Sequence, residues 1–302
     1  MCVCVVLWGA YVRATGSGAG CGGHWPLCNG EVVPRSPNAA TLIEFTHRAT
    51  SGLVFIAVLL LLIWSLRALP RRHPARLAAY LSMFFMITEA LVGAGLVLFG
   101  LVGENDSLAR AWMMAFHLIN TFLLLACLAL VGWWTTPDRG PVRIRITGNF
   151  ASMAALLLGL LVLGVSGAVA ALGDTLFPAT DLPSAIQHDF SPGAHVLLQL
   201  RVYHPLIAFL VAILLLANLY WAFRRPVGEE PRRLGFLTLA LFLTQFGLGI
   251  TNLLLLAPVW LQILHLAVAD LLWIATVLFA SSAIRASQET RLPGLHAARA
   301  ST

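Results

Sequence analysis

Apolar segments long enough to cross a bilayer recur along almost the whole of this 302-residue chain, and this limits its fold more than any other feature. A hydrocarbon core of ~30 Å needs about 20 apolar helical residues. The segments read as 1–12, 42–66, 77–101, 110–134, 148–172, 199–223, 233–256 and 259–284. With 59% of residues apolar and 11% charged, a water-soluble domain is excluded. Only helices satisfy every backbone group within such a segment, so the expected fold class is an all-α polytopic membrane protein with eight transmembrane helices. The first segment is short, since twelve helical residues rise ~18 Å. The expectation is that Met1 lies inside a helix whose start is missing. A cleaved signal peptide is the alternative, but no basic region precedes the apolar stretch.

Arginines set the expected orientation, because short loops rich in Lys and Arg stay on the cytoplasmic side. Arg67, Arg71, Arg72 and Arg76 follow the second segment; Arg139, Arg143 and Arg145 the fourth; Arg224, Arg225, Arg232 and Arg233 the sixth; Arg285 and Arg291 lie in the tail. The alternate loops 13–41, 102–109 and 173–198 carry few arginines and should face outward, with both termini cytoplasmic. The net charge of +6 is thus a topology signal that implies no nucleic-acid partner; the partner it does imply is membrane lipid.

An internal repeat organises the chain. Gly9-Ala10-Tyr11-Val12 recurs as Gly167-Ala168-Val169-Ala170, Thr88-Glu89 as Thr244-Gln245, His47 as His204, and His117 in Phe-His-Leu as His265 in Leu-His-Leu. The spacing implies two pseudo-symmetric four-helix bundles, 1–140 and 141–302. An even number of spans per unit relates them by an axis along the membrane normal.

Each of the four repeated histidines falls near the outward end of an even-numbered span. One intramembrane histidine often serves only as a helix-to-helix hydrogen-bonding residue. Four at repeated positions, two per unit, favour ligation, and imidazoles from facing helices are common axial ligands of heme iron. Zinc or copper is the weaker reading, since no carboxylate or thiolate set accompanies them within the spans.

The two units differ chemically. Glu44 precedes His47 by three residues in Glu44-Phe45-Thr46-His47-Arg48, whereas Arg201 stands at the matching place before His204. A carboxylate beside a heme can move protons during oxidation, and an arginine suits a heme propionate. The competing reading of Glu44 is an ion pair with Arg48 at i,i+4 spacing. The asymmetry suggests one reactive site and one electron-transfer site. The first outward loop holds Cys21 and Cys28 in a glycine-rich stretch, and in an oxidising compartment a disulfide is expected there, structural or redox-active. Cys2, Cys4 and Cys127 fall in apolar spans and read as packing residues. His24, His73, His188, His195 and His296 read as solvated.

These motifs, Thr15-Gly16-Ser17-Gly18 leading to Cys21, Trp25-Pro26-Leu27-Cys28-Asn29-Gly30, Glu44-Phe45-Thr46-His47-Arg48 and the later His117, His204 and His265, resemble heme A synthase from about Gly9 to Ala283. The resemblance implies an enzyme of the bacterial plasma membrane that oxidises the C8 methyl of heme O to a formyl group, giving heme A for cytochrome oxidase. It assigns His47 and His117 to the substrate heme, Glu44 to acid/base work there, His204 and His265 to the iron of a resident heme b cofactor, and Cys21 with Cys28 to the outward pair. It also implies a neighbouring heme O synthase as partner. The second half departs from some members in lacking a cysteine pair. Two other readings stay open: a di-heme, bis-His membrane cytochrome b that carries electrons, and a non-catalytic heme transporter.

Overall fold

The computed structural model describes residues 1–136, 139, 148–224 and 228–289. Arg143, Arg145, Arg225, Arg291, His296 and the boundary between 140 and 141 lie outside the described residues. Among the described residues ten α-helices follow one another: α1 (Cys2–Ala14), α2 (Ala39–Ala68), α3 (Pro74–Leu98), α4 (Leu108–Trp134), α5 (Gly148–Leu176), α6 (Leu182–Asp189), α7 (Val196–Arg201), α8 (Tyr203–Arg224), α9 (Glu229–Leu254) and α10 (Val259–Glu289). Among the described residues seven helices, with α7 and α8 counted as one, are long and apolar enough to cross a bilayer, as an integral membrane protein requires. This differs from the eight spans expected: α1 has 13 residues and rises only ~20 Å.

Local chemistry sets the helix ends. The Asn38 side chain accepts the Thr41 amide at 2.8 Å and starts α2. Pro74 occupies the first turn of α3, where its missing N–H costs nothing. The sixth segment is broken at Val202, between α7 and α8. The cause is Pro205, which has no amide proton to donate and whose ring crowds the carbonyl of residue 201.

Helix α3 packs along α4, α9 along α10 and α5 along α8, while α10 also meets α1, α4 and α5. Because lipid is as apolar as leucine, this packing rests on close van der Waals fit rather than on escape from water. The largest core joins Phe122 and Leu125 of α4, Met153, Leu156 and Leu160 of α5, Leu215 of α8 and Trp273, Phe279 and Ala280 of α10. Trp273 stacks on Phe122 at 5.2 Å and donates its indole N–H to the Phe122 carbonyl at 2.6 Å, so α4 and α10 are joined across the middle. Large apolar side chains such as Phe84, Trp112, Phe209 and Phe236 point outward, as a lipid-facing surface requires.

Short as it is, α1 is anchored. Arg13, at its end, donates to the Ala171 carbonyl at 2.7 Å and to Thr175 on α5, and to Gln262 of α10 at 2.8 Å. These contacts bring the end of α1, the end of α5 and the start of α10 to one end of the bundle, the end that carries the Cys21–Cys28 loop.

Candidate functional site

The four repeated histidines stand on four different helices, and each ring lies over a glycine of the preceding long or apolar helix. A Cβ on Gly9 would come to 2.9 Å from Cε1 of His47, and on Gly167 to 3.0 Å from Cε1 of His204. On Gly249 it would come to 3.4 Å from Cε1 of His265, and on Gly93 to 4.0 Å from Cε1 of His117. Any larger residue at Gly9 or Gly167 would displace the imidazole, so close backbone approach is what seats it. His47 lies within electrostatic reach of His117 and of Glu89, and His265 within reach of His204. Their electrostatic neighbours are thus 47 with 117 and 204 with 265.

The ring nitrogens are sparsely used. Nδ1 of His47, His117 and His265 is buried without a hydrogen-bond partner. Nδ1 of His204 lies 2.9 Å from the Ser166 hydroxyl. That hydroxyl donates its proton to the Leu163 carbonyl at 2.8 Å, so Nδ1 of His204 is the donor and Nε2 keeps its lone pair. Two imidazoles from facing helices with uncommitted nitrogens fit the two axial positions of a heme iron. Among the described residues no three His, Cys, Asp or Glu side chains are grouped to hold a free metal ion.

Glu44 is buried, but its carboxylate is turned to the loop. Oε2 accepts the Cys21 amide at 2.8 Å and Oε1 is paired with Arg48. Arg48 in turn donates to the carbonyls of His24 at 2.6 Å and Leu27 at 2.7 Å. Cys21 and Cys28 are joined by a disulfide. Gly20 is required beside it, because a Cβ there would stand 2.5 Å from the Ala40 backbone at the start of α2. The pairing of Glu44 with Arg48 is thus present, and both residues clamp the disulfide loop over the first histidine pair.

The carboxylate that meets one of the four repeated histidines is Glu89, which the sequence marks only as one term of the repeat. Its Oε1 lies 3.4 Å from Nδ1 of His117, close enough for charge pairing although not aligned as a hydrogen bond. The sign that would have found it is an acid inside an apolar span, which is costly without a task. The same rule marks Asp270, fully buried on α10 with no partner for either oxygen among the described residues.

Arg201 differs from its expected use. Its guanidinium is taken by Asp174 of α5 at 2.8 Å and by Asp189 at the end of α6 at 2.6 Å, which ties it to those two helices instead of leaving it free for a propionate. His73 and His195 cap α3 and α7, accepting the amides of Ala75 and Leu197, each at 3.3 Å. Cys127 is buried, Cys2 half-buried and Cys4 exposed.

A family model described as cytochrome oxidase assembly protein (COX15-CtaA) matches residues 1–277, which include all four histidines. A heme A synthase from Halalkalibacterium halodurans is 31% identical over 278 residues, 90% of this chain and 89% of that protein. The chain belongs to the heme A synthase family. A second heme A synthase, from Shouchella clausii, is 40% identical over 139 residues, 46% of this chain and 44% of that protein. A Thermus thermophilus protein named protoheme IX farnesyltransferase is 53% identical over 286 residues, 93% of this chain and 46% of that protein. The chain therefore spans about half the length of this relative.

Proposed function

We propose that this chain is a heme A synthase that oxidises the C8 methyl group of heme O to a formyl group. The observation that carries the reading is the seating of two histidine pairs on glycines, one pair beside a carboxylate, in a chain of this family. In this reading two pseudo-symmetric four-helix halves, about 1–140 and 141–302, each hold one heme. His47 and His117 bind heme O through its iron, and His204 and His265 ligate the iron of a resident heme b. That heme supplies electron relay when bound. Glu44, one turn from His47 and held by Arg48 and the Cys21 amide, moves protons at the reacting side of the site. Two successive hydroxylations and loss of water from the gem-diol account for the formyl group.

The protein's own contribution is placement. The tail of heme O is apolar, so it enters from lipid between helices, and the disulfide loop clamped by Glu44 and Arg48 roofs the pocket. The loop end faces outward from a bacterial plasma membrane in this reading, which the arginines after α2 and α8 support; with α1 taken as an eighth span both termini lie on the cytoplasmic side.

The Thermus relative's name describes prenylation of protoheme IX, the reaction type that yields heme O, and more than half of that protein lies outside the match. A heme O synthase acting beside this chain is the partner that this suggests. A di-heme electron carrier needs the four histidines but has no use for Glu44 or the cysteine pair.

The test is to co-express the chain with a heme O supply, purify it in detergent, and separate the extracted hemes with mass detection. Heme b together with heme A or the hydroxylated intermediate supports the synthase. Heme b alone under full oxygen supply overturns it in favour of the electron carrier.

A further inference from the structure

The two histidine pairs differ at a place that the Glu44 and Arg201 contrast does not touch. On the seam between α3 and α4, Glu89 is held by a built polar network. Its Oε2 accepts from Asn120 Nδ2 and its Oε1 from the Thr121 hydroxyl, both at 2.5 Å. Asn120 is itself fixed, donating to the Phe85 carbonyl at 2.8 Å and accepting the Thr88 hydroxyl at 2.6 Å. The carboxylate so held sits 3.4 Å from Nδ1 of His117.

On the corresponding seam between α9 and α10 the network is absent. Gln245 replaces the acid, and its Nε2 lies 3.0 Å from Nε2 of His265. The residues three and four after His265 are Val268 and Ala269, where Asn120 and Thr121 follow His117. Nδ1 of His117 therefore faces an anion held by two donors, whereas the Gln245 amide meets the other ring nitrogen of His265 and its Nδ1 has no hydrogen-bond partner among the described residues.

A carboxylate on the far nitrogen of a metal-ligating imidazole keeps the proton on that nitrogen, orients the ring and strengthens the donor nitrogen. A stronger axial donor favours the oxidised iron and lowers its potential. We propose that Glu89 is a positioning residue that makes His117 a stronger donor to the iron bound in the first half than His265 is to the iron in the second, setting the two hemes at different potentials. This rests on the proposed heme ligation by these histidines, and it deepens it by assigning the lower potential to the site where oxidation occurs.

The experiment loads the full-length protein with hemin and follows each heme by visible redox titration and by the iron–imidazole stretch in resonance Raman. His117→Ala and His265→Ala identify which signals belong to which half. Glu89→Gln, which copies the second half, shifts the first-half heme to higher potential and lowers its stretching frequency while the second-half heme stays unchanged; Glu89→Asp restores part of both. Glu89→Asp, which keeps the charge but draws it back from the ring, serves as an independent test should Glu89→Gln not fold, with the first-half heme moved to higher potential by a smaller amount. The proposal is overturned if Glu89→Gln binds hemin in both halves with the first-half potential and frequency unchanged, if both hemes move together, or if Glu89→Asp leaves the first-half heme where it was. A chain that shows these shifts yet makes no heme A sinks the synthase reading and keeps this one; heme A formation without the shifts does the reverse.

Discussion

The His47 ring rests on Gly9 so closely that a single added methyl would stand 2.9 Å from its Cε1. The same relation joins His204 to Gly167 at 3.0 Å. Both contacts lie under the normal limit for carbon atoms, and the ring, at the end of its side chain, is the part that yields. Gly9→Ala is expected to tilt His47 and alter the spectrum of the first-half heme alone, and Gly167→Ala that of the second-half heme alone. Absorption and magnetic circular dichroism spectra of the two variants check this. Both hemes changing in either variant would contradict it.

Glu44 and Arg48 form a buried ion pair that also holds the disulfide loop. Removing one partner of such a pair costs about 3–5 kcal/mol, because the other charge is left unpaired. Glu44→Ala should therefore lower the thermal midpoint and loosen the loop, whereas Glu44→Gln, which keeps an acceptor for the Cys21 amide, should cost less. If proton transfer is its work, Glu44→Gln stops heme A formation despite near-normal stability. Normal product from a stable Glu44→Gln would assign Glu44 to the clamp only.

The Cys21–Cys28 bridge closes a small loop with a sequence separation of 7. By loop-closure entropy such a bridge contributes about 2–3 kcal/mol. Cys21→Ser/Cys28→Ser is expected to lower stability by that order and to speed proteolysis within 20–31, while the heme held by His204 and His265 keeps its spectrum. Limited proteolysis with mass mapping reads the first effect and difference spectra the second.

Asp270 is fully buried in α10 with neither oxygen hydrogen-bonded among the described residues. An unpaired buried carboxyl is destabilising by roughly 1–3 kcal/mol. Asp270→Leu is expected to raise the unfolding midpoint in detergent. A lowered midpoint would mean that the carboxyl has a partner from lipid, water or heme.

Much of the architecture was legible in the chain. Long apolar runs identify α2 to α5 and α8 to α10, because bilayer thickness dictates their length and because a helix alone satisfies its own backbone. The break at Val202 was readable in Pro205 but is overridden when hydropathy is averaged across it. The glycines under the rings were visible as the first residues of a repeated motif, Gly9 and Gly167, yet nothing in their spacing says that a histidine lies above them.

By itself the sequence determined a membrane bundle with four histidines at repeated helical positions, since hydropathy and periodicity are properties of neighbours along the chain. Only the tertiary structure decided which charge meets which ring. Glu44 and His47 lie one turn apart on α2, but the carboxylate is drawn to Cys21 and Arg48. Glu89 and His117 belong to different helices and come within 3.4 Å. Contacts across a helix seam depend on the rotation and axial offset of two packed helices, which are set by the fit of all their side chains together.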